Sequence, residues 1–308
     1  MLYYCDMVII PPYLSEGDTI GIVCPGGYMP VEKVQTCIQV LMQWGFEVKI
    51  GSTPGSRFNY FSGPDEQRLE DLQQMLDDDS VKAVLCARGG YGTGRIIDRL
   101  NFKQFKKNPK WIIGYSDITI LLSHIFSRCK VASLHAPMAA AFNDGEYENE
   151  YVQSLKTVLL GGKPKYIYEV DSFNNIGTAS GILVGGNLSL IAHLTGTSSD
   201  INTAGKILFL EDTGEYIYNI DRMMYQLKRS GKFDKLAGLI IGGFTEVKDT
   251  LIPFGQDVYE VIYDVIKEYD YPVCFKFPVG HGRENYALKV GGHYKLHVGK
   301  KMVTLEEE

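Results

Sequence analysis

The sequence predicts an α/β protein, with a doubly wound and largely parallel sheet in its N-terminal half and a mixed α/β region after it. Three observations carry this. From residue 19 to 126, short apolar runs alternate with helical patterning across brief connections, the rhythm of strands feeding crossover helices. Residues 110–126 show the change within one segment: Trp111, Ile112 and Ile113 read as a buried strand, then Ile118, Leu121, Leu122 and Ile125 fall on one helical face. Near the C-terminus, residues 294–298 and 302–305 flank Gly299-Lys300 as an antiparallel hairpin, a pairing less common in purely parallel folds.

In chain order, residues 1–14 read as a lead-in broken by Pro11-Pro12. Residues 19–24 are a strand closed by Pro25-Gly26-Gly27. Val34, Cys37, Ile38 and Leu41 mark an amphipathic helix ending near Gly45, and residues 46–50 a second strand. A loop rich in glycine and proline leads to a helix carrying Leu69, Leu72 and Leu76. Residues 81–86 are a third strand, followed by the glycine loop 88–92 and a helix near 93–100. In a doubly wound sheet, ligands bind outside the carboxyl ends of strands, and the loops after Cys24, Cys86 and Ile113 all lie at that edge. The pattern breaks after residues 131–135. Residues 137–176 are polar, punctuated by Gly145, Gly161-Gly162 and Pro164, with a weak helical signal at 152–160. They read as a linker between an N-terminal domain, 1–136, and a C-terminal domain, 177–308. In the latter, residues 206–210 and 238–241 are buried strands on either side of a helix bearing Ile220, Met223, Met224 and Leu227. Val258, Ile262, Val265 and Ile266 stripe a further helix.

A chain of 308 residues suits two domains or one large one. Its net charge of -6 and the absence of a basic run argue against a nucleic-acid partner held by phosphate contacts. The densest cationic spot, Lys103, Lys106, Lys107 and Lys110, reads as a solvated helix face. Cys5, Cys24, Cys37, Cys86, Cys129 and Cys274 form no C-x-x-C, and several sit within apolar runs. They are expected to be small buried hydrophobes in a reducing compartment. No basic segment followed by an apolar one opens the chain, and no stretch approaches membrane-spanning length, so the expectation is a cytoplasmic protein without a membrane segment.

Gly114-Tyr115-Ser116 must turn the chain from strand to helix. A serine there stands at a sheet's carboxyl edge beside a helix N-terminus, where free N–H groups favour negative charge and a nucleophile can be built together with an oxyanion hole. The alternative is that Ser116 is only an N-cap. Residues 89–94 hold glycines without the G-x-G-x-x-G register, and Gly161-Gly-Lys163 lacks the phosphate-loop spacing, so neither points to a nucleotide cofactor. The glycine loop can bring backbone N–H groups close to a ligand. His293 and His297 share a strand face without a third ligand, and H-E-x-x-H is absent. Glu211 follows the strand 206–210, and His281 lies in a glycine-flanked loop after residues 272–277. With Ser116 they supply, in order, the serine, carboxylate and histidine of a hydrolytic triad. Ile118 stands where an α/β-hydrolase elbow has glycine, which argues against an ordinary lipase or esterase.

Gly-Tyr-Ser-Asp at 114–117, Ala-Arg-Gly-Gly-Tyr-Gly at 87–92, Gly-Gly-Asn-Leu-Ser at 185–189, Leu-Glu-Asp at 210–212 and Gly-His-Gly at 280–282 together resemble the LD-carboxypeptidase family, which also contains the microcin C immunity proteins. The resemblance runs from about residue 17 to 298. It implies a serine peptidase without metal or other cofactor, with a flavodoxin-like N-terminal domain, a smaller mixed C-terminal domain that supplies part of the active site, and a homodimer. It implies Ser116 as nucleophile, Glu211 as triad carboxylate and His281 as general base. Gly90 and Asp117 would give backbone N–H groups to the oxyanion hole, and Arg88 would lie near the substrate carboxylate. Cys24 departs from the small hydroxyl residue expected in that loop. The implied reaction is hydrolysis of the amide between an L-centre and a terminal D-amino acid, as in a murein tetrapeptide during cell-wall recycling. The alternatives are cleavage of peptidyl- or aminoacyl-nucleotides, as in microcin immunity, and a catalytically silent small-ligand receptor. Residues 137–176 contain no tryptophan to stack on a nucleobase, which makes the microcin reading the less favoured.

Overall fold

Residues 7–143 and 145–308 are described by the structure, a computed structural model; Cys5 and the start of the expected lead-in lie outside them. Met1–Gly162 with Tyr286–Gly291 form one unit, and Lys163–Asn285 with Gly292–Glu308 a second. The first begins with β1 (Thr19–Val23), α1 (Gln35–Gln43), β2 (Glu47–Ile50), α2 (Asp65–Asp77) and β3 (Val81–Cys86). It continues through α3 (Lys103–Lys107), β4 (Trp111–Ile113), α4 (Thr119–His124), β5 (Ser133–His135) and α5 (Glu150–Leu159). The second holds β6 (Lys165–Glu169), β7 (Gly177–Asn187), α6 (Leu188–Leu194), β8 (Ile207–Thr213) and α7 (Ile217–Arg229). After β9 (Gly238–Thr245), α8 (Val258–Ile266) and β10 (Val273–Cys274), the chain returns to the first unit for β11 (Leu288–Val290). It closes in the second with β12 (His293–Val298) and β13 (Met302–Glu307).

The first sheet runs β2-β1-β3-β4-β5-β11. Its first five strands are parallel, and β11 is antiparallel to β5. Strand order reverses between β1 and β3, the flavodoxin-like arrangement, and ligands of such sheets collect at the carboxyl ends beside that reversal. Strands β3, β4 and β5 are buried almost throughout, as a parallel sheet covered on both faces must be. Cys37, Val40 and Leu41 of α1 pack with Ile20, Ile22, Leu85, Trp111, Ile113 and Leu134 from the strands.

Several expectations are corrected here. Residues 137–176 are not a bare linker. Val152, Leu155, Val158 and Leu159 of α5 join the same core as α1, and β6 pairs with β13 in the second unit. The helix expected near 93–100 is two 3-10 turns, Thr93–Arg95 and Ile97–Arg99; Gly92 and Gly94 leave that run little helix propensity. Helix α4 is buried all round rather than on one face, packed against β5 and those turns. Lys110 is no surface cation: it is buried, and its ammonium donates to the carbonyls of Met75, at 3.0 Å, and Asp78, at 2.5 Å, near the end of α2. Residues 286–291, expected in the C-terminal domain, belong to the first unit. A three-residue antiparallel strand carries no readable period, and Lys289 at its centre reads as polar. In the structure Lys289 is fully buried, bonded to the Tyr13 hydroxyl at 3.0 Å and lying over the rings of Tyr13 and Trp111.

The second sheet runs β10-β9-β8-β7-β12-β13-β6. Strands β7 to β10 are parallel, and β12, β13 and β6 are added antiparallel, including the expected hairpin. Among the described residues, no helix is long and apolar enough to cross a membrane.

Candidate active site

In the first unit, β4 delivers the chain to Ser116, whose φ is 63°. Left-handed backbone is uncommon for a non-glycine residue and costs on the order of 1–3 kcal/mol, so it persists only where its surroundings enforce it. Ser116 does not stand at a capping position: the N-caps of the turn Ser116–Ile118 and of helix α4 are Tyr115 and Ile118, and neither side chain makes a capping bond among the described residues. The strand–turn–helix elbow expected from the sequence is therefore present, with a half-exposed serine at its tip.

The glycine loop after β3 lies directly on this elbow. A Cβ at Gly89 would come within 2.9 Å of the Ser116 Cβ and 3.0 Å of the Asp117 nitrogen, so only glycine permits the approach. Gly27 donates its N–H to the Gly89 carbonyl at 2.8 Å. Gly90 follows at φ 78° and donates no backbone hydrogen bond among the described residues. The buried Asp117 carboxylate accepts the Thr93 N–H at 2.8 Å, which ties the far end of the loop to the elbow. Arg88 is exposed on the same loop, one of its nitrogens donating to the Tyr28 carbonyl at 2.7 Å. Cys24 is buried, its N–H bonded to the Thr53 hydroxyl at 2.8 Å. Burial pushes its thiol up to about 12, which removes it as a competing nucleophile.

In the second unit, Glu211 stands near the carboxyl end of β8, fully buried, and His281 is brought to it by the loop after β10. The His281 Nδ1 lies 2.7 Å from Glu211 Oε2. Glycines make the meeting possible. A Cβ on Gly242 would approach the Val279 carbonyl to 2.5 Å, and one on Gly280, at φ 143°, would come within 3.3 Å of Glu211 Oε2. Burial alone depresses the imidazole pKa, but the Glu211 hydrogen bond and charge, with Asp212 and Glu246, outweigh it and leave His281 above its ordinary value. A carboxylate at Nδ1 holds the proton there and puts the basic lone pair on Nε2. Glu211 Oε1 has no hydrogen-bond partner among the described residues.

The neighbouring Asp212, missed as a contributor from sequence, accepts from Asn187 Nδ2 at 2.8 Å and from the Ser189 N–H at 3.0 Å. Burial and the charge of Glu211 overcome these bonds and raise its carboxyl to about 6. Asn187 pairs in register with Glu211 across β7 and β8, and it also caps α6. The Gly185–Ser189 motif is thus the frame of the dyad, and its signal was a glycine pair and a capping residue at a strand end. A Cβ on Gly185, at φ 140°, would lie 1.9 Å from the Phe209 carbonyl oxygen. Gly185→Ala is expected to cost at least about 4 kcal/mol. Gly196→Ala, with positive φ and open space, should cost about 1 kcal/mol. Urea unfolding of both variants checks the contrast.

The structure therefore brings Ser116, Asp117 and the glycine loop with Arg88 and Gly90 together in the first unit, and Glu211 and His281 together in the second. A strained serine on an elbow and an imidazole fixed by a buried carboxylate are the parts that serine-dependent hydrolysis uses. Residues 20–136 match the LD-carboxypeptidase N-terminal domain, and residues 180–296 the LD-carboxypeptidase C-terminal domain. The probable murein peptide carboxypeptidase of Bacillus subtilis is 34% identical over 96% of this chain and 94% of its own. The murein tetrapeptide carboxypeptidase of Pseudomonas aeruginosa is 28% identical over 88% of this chain and 91% of its own. The crystal structure of muramoyltetrapeptide carboxypeptidase from Oxalobacter formigenes superposes with a TM-score of 0.86 at 29% identity, covering 94% of this chain and 98% of that one. The chain belongs to the LD-carboxypeptidase family of serine peptidases.

Proposed function

We propose that this enzyme is a murein tetrapeptide carboxypeptidase, which hydrolyses the amide between an L-configured centre and a C-terminal D-alanine during cell-wall recycling. Ser116 Oγ attacks the carbonyl carbon of the L-centre as His281 Nε2 takes its proton, and Glu211 stabilises the imidazolium. The N–H groups of Gly90 and Asp117 receive the oxyanion. His281 returns the proton to the departing amine of D-alanine, and water, activated by the same imidazole, hydrolyses the acyl-enzyme. Arg88 receives the terminal carboxylate of the substrate, a charge-assisted contact that marks the scissile residue as the last in the peptide.

The observation that carries this reading is the left-handed backbone of Ser116, strain that no capping role explains. The murein-directed relatives support the substrate. Incubation with a tetrapeptide ending in L-centre–D-alanine should release D-alanine at a rate a chelator does not change. Faster turnover of an aspartyl-adenylate analogue than of the tetrapeptide would overturn the substrate in favour of peptidyl-nucleotide cleavage. Binding of both without release of any product would overturn the enzymatic reading.

A further inference from the structure

Arg68 lies on α2 and has no place in the reaction as described, yet it is fully buried. Its Nη1 donates to two carbonyls, that of Pro25 in the loop after β1 and that of Gly92, at 3.0 Å, in the loop after β3. Its Nε donates to the Gly63 carbonyl at 3.2 Å, and its Nη2 to Asp65. The guanidinium carbon lies 4.8 Å from the centre of the Phe61 ring. Arg95 holds Asp65 from the other side, with Nη2 2.7 Å from Oδ2. A Cβ at Gly92 would come within 2.8 Å of Arg68 Nη1, so the loop is shaped to receive the cation.

A buried cation costs several kcal/mol in desolvation unless it is paired and its donors are satisfied. Plain packing at this position would be served as well by an apolar side chain. What the guanidinium supplies that an apolar group cannot is a rigid fork of donors reaching two loops at once. Those loops flank the strand-order reversal of the sheet. The glycine loop is pinned at Gly89 by Gly27, at Gly92 by Arg68 and at Thr93 by Asp117. Gly90 is left between the fixed points with its N–H donating to no backbone carbonyl among the described residues.

We infer that Arg68 is a positioning residue for the oxyanion hole: its guanidinium, clamped between the Pro25 and Gly92 carbonyls, holds the glycine loop so that the Gly90 N–H points where the oxyanion forms. This rests on the assignment of Ser116 and Gly90 above. It does not rest on the identity of the peptide.

The test is the rate at which a small fluorophosphonate labels the full-length protein, since phosphonylation of a serine needs an oxyanion hole but no peptide. Arg68→Met should label about 10²-fold more slowly than wild type, the scale of one lost oxyanion donor. Arg68→Lys, which keeps a cation and one reachable carbonyl, should recover part of that loss. On the tetrapeptide, both should lower kcat with KM within about twofold, a split that general loosening of the fold would not give. Folded Arg68→Met that labels at the wild-type rate would overturn the inference. Should both variants fail to fold, Asp65→Asn keeps the guanidinium and removes its anion: labelling slowed severalfold supports the inference, and an unchanged rate overturns it. Wild type that resists labelling would overturn Ser116 as the nucleophile, and Arg68 with it. Normal labelling without D-alanine release would overturn only the substrate.

Discussion

Ser116→Ala is expected to abolish D-alanine release, lowering turnover by about 10⁶-fold, the loss expected when the nucleophile of a working triad is removed. The fold should survive. Alanine at φ 63° meets the same steric resistance as serine, and the hydroxyl caps neither helix start. Thermal unfolding should therefore move by no more than a degree or two while activity vanishes. Tetrapeptide binding to the variant should persist, because oxyanion donors and Arg88 are untouched. Retained turnover in the alanine variant would remove the serine from the chemistry.

Glu211→Gln should cost about 10⁴-fold in kcat, for a reason that the geometry makes specific. The carboxylate accepts from His281 Nδ1 across 2.7 Å, which keeps the basic lone pair on Nε2. A glutamine amide can turn its NH₂ toward Nδ1 and so favour the tautomer with a proton on Nε2, which cannot receive one from serine. The pH profile carries the second readout. His281 must be neutral to act as base, and its pKa is raised, so the acid limb of kcat/KM in wild type should have its midpoint above 6.5, with activity gained as pH rises through it. In Glu211→Gln the hydrogen bond to an anion and its charge are gone while the burial that depresses the pKa remains. The acid limb must then move to lower pH. A limb that stays in place, or moves up, would contradict the role given to Glu211.

The parts of this molecule with strong period or composition were legible in its sequence. Strands β1, β3 and β4 are mostly apolar runs with a glycine within three residues of their ends, and those ends locate the carboxyl edge of the sheet. Ser116 stood out because strand and helix patterning meet on it. Glu211 and His281 were each weak in isolation, since a carboxylate after a strand and a histidine between glycines are common loop features. Their shared order with Ser116, and the resemblance built on motifs, gave them weight. What the sequence concealed was chiefly long-range. Lys110 reads as a surface charge because nothing local announces a helix end waiting for a donor, and nothing local marks Lys289 for burial against the rings of Tyr13 and Trp111. Arg68 sits in a polar helix rich in acids, so its burial between two loops, 43 and 24 residues away in sequence, had no local sign. The 137–176 segment failed for the opposite reason, its glycines and polar residues masking four apolar positions that join the core in α5.

The central claim is that Ser116, Glu211 and His281 act as one catalytic unit, and its most direct test is the D-alanine release rate of Ser116→Ala beside that of the triple variant Ser116→Ala, Glu211→Ala, His281→Ala. Residues that serve one proton transfer are not additive, so the triple variant should be no slower than the single one by more than a few-fold. Losses that multiply, or Glu211 and His281 variants that keep the wild-type rate, would contradict it.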